Sequence, residues 1–480
     1  MKKILLVLAA LMIIFFLGRN LNPFSSVMFT FHDSTQPARV QQFTLNLKYL
    51  NIPPRVALDF NYGLGFPVFN FYAPFSYWVT SAINLVGFDI VSSLKFSFLL
   101  ALLIGFISAY LFLKKFFGFF PSLLGGILYI TSLYFPLNIF VRGNLAELWF
   151  LSLLPLALLF VYENSQKINI KKLIGTGLVL SFLFTSHNIL SLISLPIVIV
   201  FLLLLKNKKQ NLLSLALAIL LSVYFWLPAL VEMKYTWARE VATATDFHDH
   251  FLCANQLWQS NWGYGGSTVR CVNDGMSFKI GKIQLTLFFL GLLFLLKGKK
   301  NKKIHYFFLI LSTGSLFLTL YQSRPLWETF SPIMSIIQFP WRFIGISLLG
   351  IAFFSAYFFE NFTNIPFKNL LIIGVITTVL IINGKYFVGR EIKKDRFEKQ
   401  YLSQEFINNK AAYAVAEYLP KTTDYKYWRS LENKRQIPTE FFARSTLEPF
   451  AKNKQTPIEK ISSFISLTVF IFLIWKIINK

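Results

Sequence analysis

The stretch Phe201-Leu202-Leu203-Leu204-Leu205-Lys206-Asn207-Lys208-Lys209-Gln210-Asn211-Leu212-Leu213 decides the fold, because two long apolar runs meet there at a knot of three lysines. The same arrangement recurs along the chain. Lys114–Lys115, Lys167/Lys171/Lys172, Lys297–Lys303 and Lys368 fall on every second connection between apolar runs. Met1-Lys2-Lys3 and the Lys476/Lys480 tail join them. Lysine clusters on alternate connections are the positive-inside signature, which predicts cytoplasmic termini and long loops on the outer face.

Composition supports a membrane solvent. Of 480 residues, 55% are hydrophobic, 18% aromatic and only 14% charged, with a mean hydropathy of +0.54. Surface-to-volume scaling does not let a soluble domain of this length bury so much apolar surface. Lys2-Lys3 followed by Ile4–Leu17 has the shape of a signal peptide, but Gly18-Arg19-Asn20 offers no small-residue cleavage pattern. An uncleaved first span is expected.

The net charge of +25 does not imply nucleic acid as a partner. With this topology the inner face holds basic residues almost alone, as insertion and anionic headgroups require. All thirteen arginines fall on the outer side or its membrane edge, and every inner cation is lysine. Arginine would serve there for two-pronged binding of phosphate or carboxylate, or else for ordinary ion pairs.

Segments long enough for a hydrocarbon core of about 20 apolar residues number about twelve. They cover 4–18, 95–113, 121–140, 145–162, 172–188, 189–205, 212–230, 283–296, 304–321, 342–359, 369–387 and 461–478. The fold class is therefore an all-α polytopic membrane protein. Residues 1–387 form its transmembrane module with outer loops 19–94 and 231–282. Residues 388–460 form a small outer domain, and 461–480 the last span and its tail. Within the first loop, 73–86 is apolar and uncharged and is expected to lie along the interface. Cys253 and Cys271, the only cysteines, fall in one outer loop, where oxidation is permitted and a disulfide between them is expected.

Chemistry concentrates in that first loop. Phe31-His32-Asp33-Ser34 and Arg39 lie a short distance beyond the first span, followed by Asp59 and Gly63-Leu64-Gly65-Phe66-Pro67. Asp33 would stand just above the leaflet, able to take a proton from a hydroxyl that attacks a lipid-borne electrophile. Its duller roles are a helix cap or a partner for Arg39. Asp59 has the same chemistry available. Arg142 and Glu147 lie five apart at the start of a span and would pair, anchor it, or act at membrane depth. His187 sits at a hairpin tip, and Arg342 follows Pro340-Trp341 at an interface. Asp246-Phe247-His248-Asp249-His250 lacks an evident third ligand, so no metal site is expected. No Walker sequence suggests ATP.

The motifs Gly63-Leu64-Gly65-Phe66-Pro67, Phe71-Tyr72-Ala73-Pro74, Arg142-Gly143-Asn144-Leu145-Ala146-Glu147, Ser186-His187-Asn188, Trp226-Leu227-Pro228, Phe339-Pro340-Trp341-Arg342-Phe343 and Glu417-Tyr418-Leu419-Pro420 follow His32-Asp33 in that order. Together they resemble bacterial polytopic proteins described as 6-pyruvoyl-tetrahydropterin synthase-related, over nearly the full length. Those are similar to GT-C-type glycosyltransferases, which use polyprenyl-phosphate-linked sugars. A pterin synthase itself is not expected. That activity needs a soluble fold and a three-histidine zinc site, whereas the five histidines here, His32, His187, His248, His250 and His305, are scattered.

The resemblance implies an inverting sugar transfer from a polyprenyl-phosphate donor to a glycan or lipid acceptor of the cell envelope. The setting is the outer face of a bacterial cytoplasmic membrane. Asp33 would be the base with His32 beside it. Arg39, Asp59, Arg142, Glu147, His187 and Arg342 would bind substrate or lipid phosphate. No cofactor is called for, with a divalent ion left open. A lipid-linked glycan flippase and a non-catalytic envelope assembly protein are the alternatives.

Overall fold

The computed structural model describes residues 2–238, 240, 246–265, 275–295, 302–362, 367–431 and 455–478. Its principal elements are α1 (Lys2–Met12), β1 (Val27–Thr30), α2 (Gln36–Lys48), α3 (Phe75–Leu85), α4 (Ile90–Leu113), α5 (Phe119–Ile130), α6 (Leu145–Gln166), α7 (Ile170–Phe184), α8 (Asn188–Leu204), α9 (Lys208–Glu232), α10 (Lys282–Leu295), α11 (Lys302–Leu309), α12 (Phe343–Asn361), α13 (Lys368–Gly384), β2 (Arg390–Lys393) and α14 (Pro457–Ile478). The architecture is all-α and polytopic. Six described stretches are long and apolar enough to cross a membrane: Ile90–Leu113, Phe119–Arg142, Leu145–Gln166, Lys208–Tyr235, Pro340–Asn361 and Pro457–Ile478. Shorter apolar helices cover Ile4–Leu17, Asn188–Leu204, Lys282–Leu295, Lys303–Thr319 and Lys368–Gly384.

Apolar runs become helices because lipid offers no partner for an open backbone. Short polar side chains satisfy the ends. Asp89 accepts from the Ser92 amide at 2.9 Å at the start of α4, and Asn169 caps α7 through the Lys171 amide at 2.8 Å. Within the bundle α4 packs on α5 and α6, α12 on α5 and α10, and α9 on α7 and α14. Small residues and hydroxyls knit these contacts, as expected where lipid removes the hydrophobic incentive. Ser152 donates to the Ala101 carbonyl at 2.6 Å, and Trp149 Nε1 donates to Ser97 at 3.0 Å.

Three expected spans are interrupted, the 4–18 span by a π-helical turn at Ile13–Leu17. The 121–140 span ends as an α-helix at Ile130, then resumes as a turn at Tyr134–Pro136 and a π-helical turn at Leu137–Arg142. Leu133 N–H leaves the helix to donate to the Ile280 carbonyl at 2.8 Å, and Pro136 has no N–H to continue the ladder. The 304–321 span likewise carries a π-helical turn at Ile310–Gly314.

The polar loops gather at one end of the bundle. β1 and β2 pair antiparallel, with Val27 opposite Lys393 and Thr30 opposite Arg390. Tyr62 N–H donates to the Asn408 carbonyl at 2.8 Å, and buried Trp428 donates to Asn61 at 2.8 Å. Residues 388–431 are thus clamped to the first loop; 432–454 lie outside the described residues. The apolar segment expected at the interface forms α3, with Ser76, Tyr77, Thr80 and Ser81 buried.

Candidate functional site

The π-helical turn delivers Arg142 to the end of its helix, and Gly143 at φ +68° turns the chain back. A Cβ at Gly143 would overlap the Phe31 ring, so only glycine permits the close approach of the first loop. Asn144 caps α6 by accepting from the Glu147 amide at 3.0 Å, which places Glu147 in the first turn. The loop therefore folds on itself. Arg142 Nη1 donates to Glu147 Oε2 at 2.6 Å and to Asn138 Oδ1 at 2.7 Å, and Tyr134 donates its hydroxyl to Glu147 Oε1. The pair is buried, with Glu147 fully excluded from solvent. The Trp341 ring lies 4.9 Å from the guanidinium carbon.

The first loop is stitched to this unit. His32 N–H donates to the Val141 carbonyl at 2.9 Å and Asp33 N–H to the Arg142 carbonyl at 2.8 Å. The Asp33 carboxylate is 28% exposed and meets His32 Nδ1 at 2.9 Å. It neither caps α2, whose first turn has no side-chain cap, nor pairs with Arg39. Both duller roles fail for the same reason: the backbone bonds to residues 141 and 142 turn Asp33 toward the bundle.

His187 caps α8, its Nδ1 accepting from the Leu190 amide at 3.2 Å. A neutral imidazole that accepts through Nδ1 carries its proton on Nε2, so that edge is a donor. Arg342 Nη1 donates to the Ile337 carbonyl at 2.6 Å, and its guanidinium stacks 4.7 Å from the Phe339 ring centre. Asp33, Glu147, Arg142 and Arg342 all act electrostatically on His187. The same four act on Tyr264. Asp33, Arg142, Glu147, His187 and Arg342 are thus brought together.

Other expected residues divide. Arg39 is buried beside Tyr72 and Tyr77, and Asp33 acts on both of those tyrosines. Asp59 instead closes a reciprocal pair with Gln42: Gln42 Nε2 donates to Asp59 Oδ2 at 2.9 Å, and Asp59 N–H donates to Gln42 Oε1 at 2.8 Å. His248 is taken up by Asp246 and by Glu328 at 3.2 Å, and no three His, Cys, Asp or Glu side chains gather as a metal site among the described residues. Cys253 is not free; Cys271 lies outside the described residues.

Sequence reasoning missed Tyr264. Its ring centre lies 4.3 Å from that of His32, tilted by 56°, and 5.5 Å from the Arg142 guanidinium. Burial pushes its hydroxyl above the ordinary tyrosine range, opposed by Arg142, so it stays a neutral donor. An aromatic between Gly263 and Gly265 was the signal available. The cluster also holds unspent donors. The Nε groups of Arg39, Arg142 and Arg342 are buried without an acceptor. Among the described residues Arg39 and Arg342 form no ion pair within 4.0 Å.

Fold and site together define a multi-pass membrane protein with a cation-rich polar cluster where its loops meet the helices. The chain belongs to the 6-pyruvoyl-tetrahydropterin synthase related domain family of membrane proteins, which matches residues 69–387. The match is narrower than the full-length resemblance expected, and His32, Asp33, Arg39 and Asp59 precede it. No curated protein sequence matches. Among solved structures, the archaeal oligosaccharyltransferase AglB from Archaeoglobus fulgidus, in complex with an inhibitory peptide and a dolichol-phosphate, is similar at a TM-score of 0.50 and 13% identity, over 84% of this chain and 59% of that one. The mycobacterial arabinofuranosyltransferase AftD is similar at 0.50 and 12%, over 80% of this chain and 26% of that one. The likeness is one of fold, and the chain spans less than two thirds of either relative.

Proposed function

We propose that the protein is a membrane glycosyltransferase that moves a sugar from a polyprenyl-phosphate donor to a cell-envelope acceptor. The reaction takes place on the outer face of a bacterial cytoplasmic membrane, with both termini on the cytoplasmic side. The observation that carries this reading is a partly open carboxylate, Asp33, set among buried arginines whose Nε donors have no acceptor. Asp33 takes the proton of the acceptor hydroxyl as that oxygen attacks the anomeric carbon. The bond from that carbon to the lipid phosphate breaks, and the phosphate leaves with the electron pair. Arg142, Arg342 and the His187 Nε2–H face the charge that grows there, which lowers the barrier most in a water-poor site. His32 holds the Asp33 carboxylate in place. The likeness in fold to AglB, which is seen in complex with a dolichol-phosphate, supports a lipid-phosphate substrate. No resident cofactor is proposed.

The test is Asp33→Asn in the full chain, reconstituted in liposomes and supplied with polyprenyl-phosphate-linked sugars. Transfer should fall by about 10²–10⁴-fold, the range for loss of a general base, while thermal unfolding and lipid binding stay unchanged. Undiminished transfer would overturn the assignment. A flippase would keep moving lipid-linked glycan after this substitution, and an assembly protein would show neither activity.

A further inference from the structure

A second set of buried polar groups lies beside Asp33 and is not used by the lipid-phosphate reading. Arg39, on α2 and 5% exposed, lays its guanidinium 4.8 Å from the Tyr72 ring centre. Its Nη1 donates to the Tyr77 hydroxyl at 3.4 Å, and Tyr77 donates to Gln36 Oε1 at 2.9 Å. No carboxylate stands within 4.0 Å of Arg39 among the described residues, although Glu417 lies near enough to feel its charge. Arg39 Nε remains without an acceptor, while Gln36 hydrogen-bonds the Tyr72 hydroxyl. A buried charge without a counter-ion and a buried donor without an acceptor are both unfavourable. The Arg39 charge and its orphan Nε share a single missing partner: an anion.

This position is distinct from the one that faces the lipid phosphate. There the donors come from Arg142, Arg342 and His187, at the ends of the spanning helices. Here they come from α2 and the turn that carries Tyr72. Asp33 lies within electrostatic reach of members of both sets, so a base at Asp33 would have both anion-binding groups nearby.

The geometry points to a second anion position, in which Arg39 and the Tyr72 hydroxyl hold a phosphate or carboxylate carried by the acceptor, with Gln36 and Tyr77 fixing them in place. The acceptor is then itself anionic. Naming it an acceptor rests on the transfer reading; the anion position does not. The other source of the same chemistry is a second phosphate on the donor, and the test separates the two.

The full chain in neutral phosphatidylcholine nanodiscs is titrated calorimetrically with farnesyl phosphate, farnesyl diphosphate and dihexanoylphosphatidate. Phosphatidate and farnesyl phosphate should bind together. Arg39→Gln should weaken phosphatidate by about tenfold or more, the size of one lost charge-assisted bond, and leave farnesyl phosphate unchanged; Arg342→Gln should do the reverse. Where Arg39→Gln does not fold, Arg39→Lys keeps the charge without the fork and should weaken phosphatidate by a smaller factor. Competition between the two probes overturns the second position. So does an Arg39 effect confined to farnesyl diphosphate, or phosphatidate binding that ignores both Arg39 substitutions. If farnesyl phosphate fails to bind the unsubstituted chain, the lipid-phosphate reading falls, and the phosphatidate titration still decides the Arg39 position.

Discussion

Two buried charged clusters in this molecule are built from the same residue types and balanced in opposite directions. In the first, Arg142 and Arg342 face one buried carboxylate, Glu147, and one open one, Asp33, with Arg39 nearby. In the second, Arg55 stands alone against Glu232 and Glu459, both of which act on it. Arg55 Nη1 donates to Asn70 at 3.2 Å, and its Nη2 donates to the Tyr224 carbonyl at 2.7 Å and to Ser463 at 3.2 Å. Glu232 accepts from Asn70 at 2.6 Å and from the Thr456 hydroxyl, and Glu459 accepts from the Thr456 amide at 2.8 Å. Arg55 Nε is unpaired too, so a lone orphan donor does not distinguish the clusters. The ratio of carboxyl groups to arginines does. The second cluster ties α9 and α14 to the first loop and has two carboxyl groups for one arginine; the first has two for three.

That contrast is open to attack. The largest structural effect should follow Glu147→Ala, which strands Arg142 in a buried site at a cost of about 3–5 kcal/mol, read by unfolding in detergent. Gly143→Ala forces a left-handed backbone and a collision with Phe31. It should cost about 1–3 kcal/mol and reduce transfer with it, since the Asp33 amide is bonded next door. Glu232→Gln, by comparison, keeps the shape of the second cluster and one carboxylate for Arg55. It should cost no more than about 1.5 kcal/mol; a loss as large as that of Glu147→Ala would remove the distinction between the two.

The smallest effect should come from the exposed tie between Lys394 and Asp89, 2.7 Å apart, where Lys394→Ala should cost less than ~1 kcal/mol. Burial raises the Asp89 carboxyl, but hydrogen bonds from Lys394 and Ser92 outweigh it and hold it below its ordinary range. Its folded value is depressed, so the contribution is full above about pH 4 and fades as the pH falls below that. Urea midpoints measured from pH 3 to pH 7 check the sign.

Much of the site was legible because its parts sit in local motifs. Arg142-Gly143-Asn144-x-x-Glu147 makes its own cap, turn and ion pair within six residues, and His187 caps the helix that follows it. Asp33 stood out as an acid just beyond a span. Asp59 looked equivalent in sequence and separates from Asp33 only because Gln42, one helix away, takes both its amide and its carboxylate. Tyr264 gave little warning, since its partners His32 and Arg142 come from distant parts of the chain. The break at Thr131-Ser132-Leu133 was hidden in the same way: the carbonyl that attracts the Leu133 amide belongs to Ile280.

The chain alone determined an all-helical membrane architecture and the segments that bear its polar groups. Hydrophobic length, caps and charge asymmetry act over a few turns and can be read locally. Which of those groups meet, and with what net charge, was decided only by the tertiary structure, because burial of an arginine is set by neighbours hundreds of residues away.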